Sequence, residues 1–418
     1  MLVELINTGT ELMLGRVLNT HQQWLCRQLA DLGYVVARQV AVADTGSDIQ
    51  QAVREALARA DLVMTTGGLG PTSDDITRDL IAQLLGKELR EDPAVLAHIK
   101  HFFDVRKRPM PELTGVQAQV PEGALVLHNA HGTAPGLAMQ VSPNAFRPGG
   151  AGTWLVMLPG PPWELRPMFT DSVVPLLRRV LPLASGFVCR TLRTTGIGES
   201  VAQQRIRGPL QGLVEAGLDL GYCSRPGQVD VRVAANGPGA GQRVEEAEVI
   251  LRRLLGRRIY GVEDDDLETV IVRLLTERKA TLALAESCTG GCIAHRVTNV
   301  PGASAVLLAG LVTYSNAAKQ KFLGVQAETL AEHGAVSEPV AREMAEGARR
   351  EAQAGYALSV TGIAGPSGGT AEKPVGTVFI GLAGPSGTVI ERNFNPYDRE
   401  TFKQVTAQQA LDLLRRTV

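Results

Sequence analysis

The sequence predicts an α/β protein of more than one domain, with two α/β parts joined by a small α+β module. Three observations carry this. The 418 residues exceed the roughly 250–300 over which one core keeps growing. Buried strands alternate with helical spacing at both ends of the chain, the pattern of a doubly wound parallel sheet. Between them lies a stretch of period-two strands. The expected parts are residues 1–170, 171–261 and 262–418.

In the first part, Val3–Ile6 reads as a short buried strand, and Leu25, Leu29 and Leu32 stripe a helix over Thr20–Leu32 that Gly33 stops. Tyr34–Ala43 is strand-like, Ile49–Arg59 helical, and Leu62–Thr66 a second buried strand. Trp154–Leu158 is a late strand entering Pro159-Gly-Pro-Pro162. The texture changes near Asp171. Arg190–Thr195 and Val229–Ala234 alternate, Val229, Val231 and Val233 sharing one face. Val244–Leu255 is a helix leading into Arg258–Tyr260. Asp266 is an N-cap candidate for a helix striped by Leu267, Val270, Ile271, Leu274 and Leu275.

The last part alternates again, with strands Thr281–Ala285, Leu308–Tyr314 and Ala357–Thr361 and helices from about Gly290 and over Pro339–Ala352. Strands Thr377–Leu382 and Thr388–Asn393 and a helix Arg399–Arg415 close the chain.

Composition excludes several classes. With 42 basic against 43 acidic residues, no global field points to nucleic acid or an anionic membrane. Aromatics at 4% are too few for a base-stacking surface. The five cysteines contain no C-x-x-C pair, which favours a reducing, cytoplasmic setting over disulfides or structural zinc. The first residues lack a basic n-region, and no apolar stretch approaches the ~20 residues of a membrane span.

Asp61-Leu-Val-Met-Thr-Thr-Gly-Gly-Leu-Gly-Pro-Thr-Ser-Asp-Asp-Ile-Thr77 is the strongest local signal. A buried strand enters Gly67, Gly68 and Gly70 and then a helix whose first turn includes Asp75–Thr77, a loop in which backbone can approach phosphate. No Gly-Lys-Ser/Thr follows, so it is not a Walker A loop. Asp74 and Asp75 suit a divalent cation shared with phosphate oxygens; an N-cap and a solvated first-turn acid are the alternative.

Asn7-Thr-Gly-Thr-Glu-Leu-Met-Leu-Gly15, the Gly67–Asp75 loop and Leu158-Pro-Gly-Pro-Pro-Trp-Glu164 resemble signature segments of the CinA family's molybdopterin-binding-like domain. The resemblance implies a metal-dependent ADP-ribose pyrophosphatase releasing AMP and ribose 5-phosphate. It places catalytic acids at Asp75 and Asp44, with substrate contacts at Thr10, Glu11, Gly67, Gly68, Gly70, Thr72, Asp74 and Gly160. Asp75, Asp74 and Glu164 are the metal-ligand candidates. Asp44 as a turn-initiating acid and Glu164 as a first-turn helix acid stay open. The middle part, with Thr195-Gly-Ile-Gly-Glu-Ser200, resembles the family's KH-like domain. Its glycine spacing is not the GXXG clamp of an RNA-binding KH domain, so it reads as a dimerisation or spacer module.

In the last part, Ala285-Glu-Ser-Cys-Thr-Gly-Gly291 follows a buried strand. Ser287 is expected at a strand-to-helix turn, facing helix N-terminal amides that would form an oxyanion hole. The segment is neither G-x-S-x-G nor S-x-x-K. Val312-Thr-Tyr-Ser-Asn-Ala-Ala-Lys319 offers a lysine that burial could hold neutral, as a base for the serine, and a tyrosine that could relay a proton or orient that lysine. An N-cap serine, a core-edge tyrosine and a solvated lysine are the alternative. Ser359-Val-Thr-Gly-Ile-Ala-Gly-Pro-Ser-Gly-Gly369 is another strand entering a Gly-rich loop.

Thr281–Gly291, Thr313–Lys319, His333-Gly-Ala-Val-Ser-Glu-Pro339 and Lys373-Pro-Val-Gly-Thr377 are similar to the nicotinamide mononucleotide (NMN) amidohydrolase domain of CinA proteins. The resemblance puts catalysis on Ser287, Lys319 and Tyr314, without a cofactor, and yields nicotinic acid mononucleotide and ammonia. Thr289, Gly290, Gly291, Gly362, Gly365 and Arg399 would hold the phosphate and nicotinoyl group. Expected partners are small nucleotides and a second copy of the chain, with neither membrane nor nucleic acid. A competence- or repair-associated adaptor with degenerate sites and a molybdopterin-handling protein are the rivals. Cys288 and Cys292, four apart on the helix after Ser287, read as small core residues, and the seven histidines as structural.

Overall fold

A computed structural model describes residues 1–183 and 186–418, which form two compact units, Met1–Phe187 and Val188–Val418.

The first unit is built on a six-stranded sheet. Its order is Val35–Val42, Leu2–Thr8, Leu62–Thr66, Thr153–Leu158, Gly136–Val141 and Leu125–Leu127. The first four strands are parallel and the last two antiparallel. Leu62–Thr66 is buried along its whole length, as a central strand covered by helices on both faces must be. One face packs Ile49, Val53 and Ile81 from helices Gly46–Leu57 and Thr77–Leu84. The other packs Leu25 and Leu29 from Thr20–Asp31 with Phe169, Val173, Leu176 and Leu177. Val173, Leu176 and Leu177 lie beyond 170, so the first unit continues through the helical segment after Pro162.

The second unit begins with a four-stranded sheet ordered Leu218–Arg225, Gln228–Asn236, Phe187–Thr195 and Ile259–Val262. Helices Glu199–Glu215 and Ala240–Leu255 cover one face with Ile206, Leu210, Val244 and Leu251. The five-stranded sheet that follows runs Leu307–Val312, Leu282–Glu286, Tyr356–Gly362, Thr377–Gly384 and Gly387–Phe394. Its first three strands are parallel and its last two antiparallel to their neighbours.

Helix Glu338–Ala352 buries Val340, Met344 and Ala348 on one face of this sheet. Helices Leu267–Glu277 and Arg399–Thr417 bury Ile271, Leu275, Phe402 and Leu411 on the other. Asp398 caps the final helix, its Oδ1 accepting the amides of Glu400 at 3.0 Å and Thr401 at 3.1 Å. Asp266 stands at the N-cap of Leu267–Glu277 without a side-chain bond to its amides. Parallel strands bring their C-terminal ends to one edge, where open α/β sheets place their sites. In both units the glycine-rich segments follow such ends.

Candidate active sites

In the first unit, Leu62–Thr66 ends in Gly67 and Gly68, both at positive φ. A β-carbon on Gly68 would lie 2.0 Å from Thr77 Oγ1, so only glycine lets the loop close on the helix that follows. That helix starts at Thr77, so Asp75 lies in the turn before it and not in its first turn, where the sequence placed it. The turn before it is closed by side chains. Asp75 Oδ2 accepts the Thr72 amide at 2.9 Å and the Thr72 hydroxyl at 2.6 Å. Thr72 also donates to Asp74 Oδ1, which holds the Asp74 carboxyl below the usual range.

Asp44 and Thr10 tie two strand ends together. Asp44 Oδ2 accepts the Thr10 amide at 2.8 Å, and the Thr10 hydroxyl accepts the Asp44 amide at 3.2 Å.

These pieces surround one pocket of about 380 Å³. Glu11, Asp44, Gly67, Gly68, Gly70, Asp74, Asp75, Gly160 and Glu164 line it; Thr10 and Thr72 stand behind, positioning Asp44 and Asp75. His21, read from the sequence with the other histidines as structural, bonds the Gly160 carbonyl through Nε2. Asn129 is a second residue missed, donating to Glu164 Oε2 at 2.7 Å. Burial pushes the Glu164 carboxyl up, against the Asn129 bond.

Among the described residues no group of three His, Cys, Asp or Glu side chains is set to hold a metal ion. Asp75 is turned to Thr72 and Glu164 to Asn129, so Asp74, Asp75 and Glu164 form no closed cage. The donor set nevertheless fits a hard cation that is completed by substrate. Five carboxylates and, among the described residues, no lysine or arginine line the pocket. A pyrophosphate would meet like charge there unless a cation came with it, and all-oxygen ligation shared with phosphate is how Mg²⁺ is commonly held.

In the second unit, Leu282–Glu286 delivers Ser287 to the sheet edge. The turn that follows carries Gly290 (φ 61°) and Gly291 (φ 95°), left-handed positions that favour glycine. This delays the helix to Cys292–Thr298, so Cys288 lies in the turn rather than on the helix. The amides at the helix start do not face Ser287. Glu286, buried at the strand end, takes them, accepting from Gly291 at 3.0 Å, Ile293 at 3.1 Å and Ala294 at 2.8 Å. The helix amides expected to form an oxyanion hole are therefore already taken. The amides of Cys288 and Thr289 donate to no backbone carbonyl among the described residues. Glu286 was legible in principle, as an acid continuing an apolar strand.

Lys319 is 1% exposed. Its Nζ lies 3.0 Å from Ser287 Oγ and donates to the carbonyls of Thr313 at 2.9 Å and Tyr314 at 3.3 Å. Burial lowers its pKa. A neutral amine has two hydrogens and one lone pair; two carbonyls and one hydroxyl match that valence.

Tyr314 enters differently from expectation. Its side chain is 60% exposed, and its hydroxyl is bonded by Arg399 Nη2 at 2.7 Å; only its carbonyl touches Lys319. Arg399 Nη1 also donates to the Gly365 carbonyl at 3.0 Å. Thr289 is fully buried, and its hydroxyl has no partner among the described residues. Gly362 answers to packing, since a β-carbon there would lie 2.8 Å from the Thr377 carbonyl. One further cation was missed. Lys403, one turn after Arg399, shares with it and Cys292 a cavity of about 420 Å³ and lies 4.0 Å from the place of a Gly290 β-carbon. Burial pushes the Cys288 thiol up to about 12, so it is no rival nucleophile.

The fold and these sites define a multidomain α/β protein with a carboxylate-lined pocket in one part and a serine–lysine pair in another. Family models match along the chain: a probable molybdopterin binding domain over residues 4–179, the damage-inducible protein CinA KH domain over 189–261, and the CinA C-terminal domain over 264–418. A CinA-like protein of Akkermansia muciniphila is 44% identical over 412 residues, 98% of this chain and 95% of that one. A CinA-like protein of Gemmatimonas aurantiaca is 41% identical over 422 residues, 99% and 96% of the two chains. The crystal structure of competence/damage inducible protein CihA from Agrobacterium tumefaciens covers 36% of this chain and 92% of its own at 41% identity, with a TM-score of 0.35. The chain belongs to the CinA family of competence- and damage-inducible proteins.

Proposed function

We propose that the chain is a bifunctional hydrolase of pyridine-nucleotide metabolism. The C-terminal part hydrolyses the NMN amide to nicotinic acid mononucleotide and ammonia. The N-terminal part cleaves ADP-ribose to AMP and ribose 5-phosphate with a divalent cation. The observation that carries the reading is the buried Lys319 Nζ at 3.0 Å from Ser287 Oγ. An adaptor has no use for a desolvated amine aimed at a serine, and burying one is costly.

Neutral Lys319 takes the Ser287 proton as Oγ attacks the carboxamide carbon. The amides of Cys288 and Thr289, which donate to no backbone carbonyl among the described residues, would face the developing oxyanion. Lys319 returns the proton to the departing nitrogen, which leaves as ammonia. Water then opens the acyl ester by the same base. Arg399 and Lys403 supply positive charge for the nucleotide phosphate, and Arg399 fixes Tyr314 at the rim.

In the N-terminal pocket, Asp74 and Asp75 would hold the cation with the pyrophosphate, and Asp44, fixed by Thr10, would position water. When bound, that cation neutralises phosphate charge and polarises the attacked phosphorus.

The test is a double dissociation. Ser287→Ala should abolish ammonia release from NMN and spare AMP release from ADP-ribose, and Asp75→Ala the reverse. Wild type inert on both substrates, or variants that leave both activities intact, would overturn the proposal.

A further inference from the structure

The hairpin of strands Leu218–Arg225 and Gln228–Asn236 turns at Pro226–Gly227 above the final helix, where Gln228 Nε2 donates to Gln408 Oε1 at 3.1 Å. Beside this contact lies a cavity of about 720 Å³, within the size range of cofactor and nucleotide sites. One wall is the Thr195–Gly198 loop and the hairpin turn; the other is strand Gly387–Phe394 with the final helix.

Most of the polar lining is already paired. Arg416 is held by Glu391 at 3.0 Å and Asp412 at 2.9 Å. Asn395 and Gln409 exchange amide bonds at 2.9 and 3.1 Å. Two buried lining atoms are left, and both are donors. Asn393 Nδ2 and Arg225 Nε are buried without an acceptor among the described residues, while the Arg225 fork is committed to Asp230 through Nη2. Buried donors left unpaired are costly, so a ligand that brings acceptors gains where one that brings donors does not. At the rim, Tyr397 is 51% exposed, a flat surface beside the two unpaired donors.

We propose that this cavity binds a phosphomonoester carrying a planar ring, a mononucleotide, with phosphate oxygens on Arg225 and Asn393 and the ring against Tyr397. The site is separate from the serine–lysine centre. The final helix offers Arg399 and Lys403 to one cavity and Thr401, Val405 and Gln409 to the other.

The experiment is calorimetric titration of the full chain carrying Ser287→Ala and Asp75→Ala with AMP, and with adenosine as the phosphate-free control. AMP should bind at least tenfold more tightly than adenosine. Asn393→Asp, which replaces the donor with a carboxylate, should weaken AMP at least tenfold, and Tyr397→Ala, removing an exposed ring, severalfold. Thermal melts check that both variants fold. AMP binding that survives both substitutions unchanged places the ligand elsewhere and overturns the proposal. So does equal affinity for adenosine, or no binding at millimolar AMP.

Discussion

Replacing Lys319 with methionine keeps the length of the side chain and removes the amine, and the geometry fixes what should follow. Without a base, Ser287 keeps its proton. General-base catalysis contributes about 10²–10⁴-fold, and a serine hydroxyl has no other base within reach among the described bonds. The expected loss in kcat/KM for NMN is about 10³-fold or more, roughly 4 kcal/mol of transition-state stabilisation. Stability should change far less, because two effects oppose. The carbonyls of Thr313 and Tyr314 lose their donor, at about 1–3 kcal/mol for a buried group. The desolvation that lowers the Lys319 pKa is relieved. The net is a melting shift of a few degrees, at about 2–4 °C per kcal/mol for a unit of this size.

The pH dependence has a definite sign. Protonated lysine cannot accept a proton, so wild-type kcat/KM should rise with pH until Lys319 is neutral, and burial moves that limb down from the ordinary lysine range. The unfolded chain holds a proton on this lysine at pH values where the folded chain does not, so wild-type stability rises with pH across that window. Lys319→Met should lose this limb in both activity and stability. The assay is ammonia release across pH, with melts at each pH. A variant that keeps more than about a tenth of wild-type activity, or the same acid limb, would refute the reasoning.

Three further outcomes are expected. Glu286→Gln replaces a buried carboxylate that accepts three amides with a group that can accept on one oxygen only. Unfolding in denaturant should show a loss of about 2–4 kcal/mol, and NMN turnover should fall with it. Arg399→Lys keeps the charge but not the fork that reaches both Gly365 and Tyr314, so KM for NMN should rise about tenfold with kcat little changed. Chelation of divalent cations should stop AMP release from ADP-ribose and leave ammonia release from NMN unaffected.

The chain's grammar carried the sheets well wherever a strand is buried on both faces. Leu62–Thr66 is apolar or β-branched throughout and sits at the centre of its sheet. Leu125–Leu127 and Gly136–Val141 escaped because three residues, or six beginning with glycine, leave little period to read. Helix Glu199–Glu215 escaped for another reason. Pro209 lies within it, and Gly208 and Gly212 dilute its apolar stripe of Ala202, Ile206 and Leu210.

At the sites, spacing found residues that share a strand end, such as Ser287 and the Gly67–Gly68 turn. It missed what comes from distant segments. Tyr314 and Arg399 are 85 residues apart, so no local pattern could turn the phenol toward the guanidinium instead of Lys319. The capture of the helix amides by Glu286 depends on two left-handed glycines that postpone the helix, which a motif does not reveal.

The central claim is that Ser287 and Lys319 hydrolyse the NMN amide. Its most direct test is ammonia release from NMN by wild type and Ser287→Ala, purified side by side and matched by thermal melt. The account predicts steady release by the wild type and at least a thousandfold less by the variant. Equal rates, or no release by either, would contradict it.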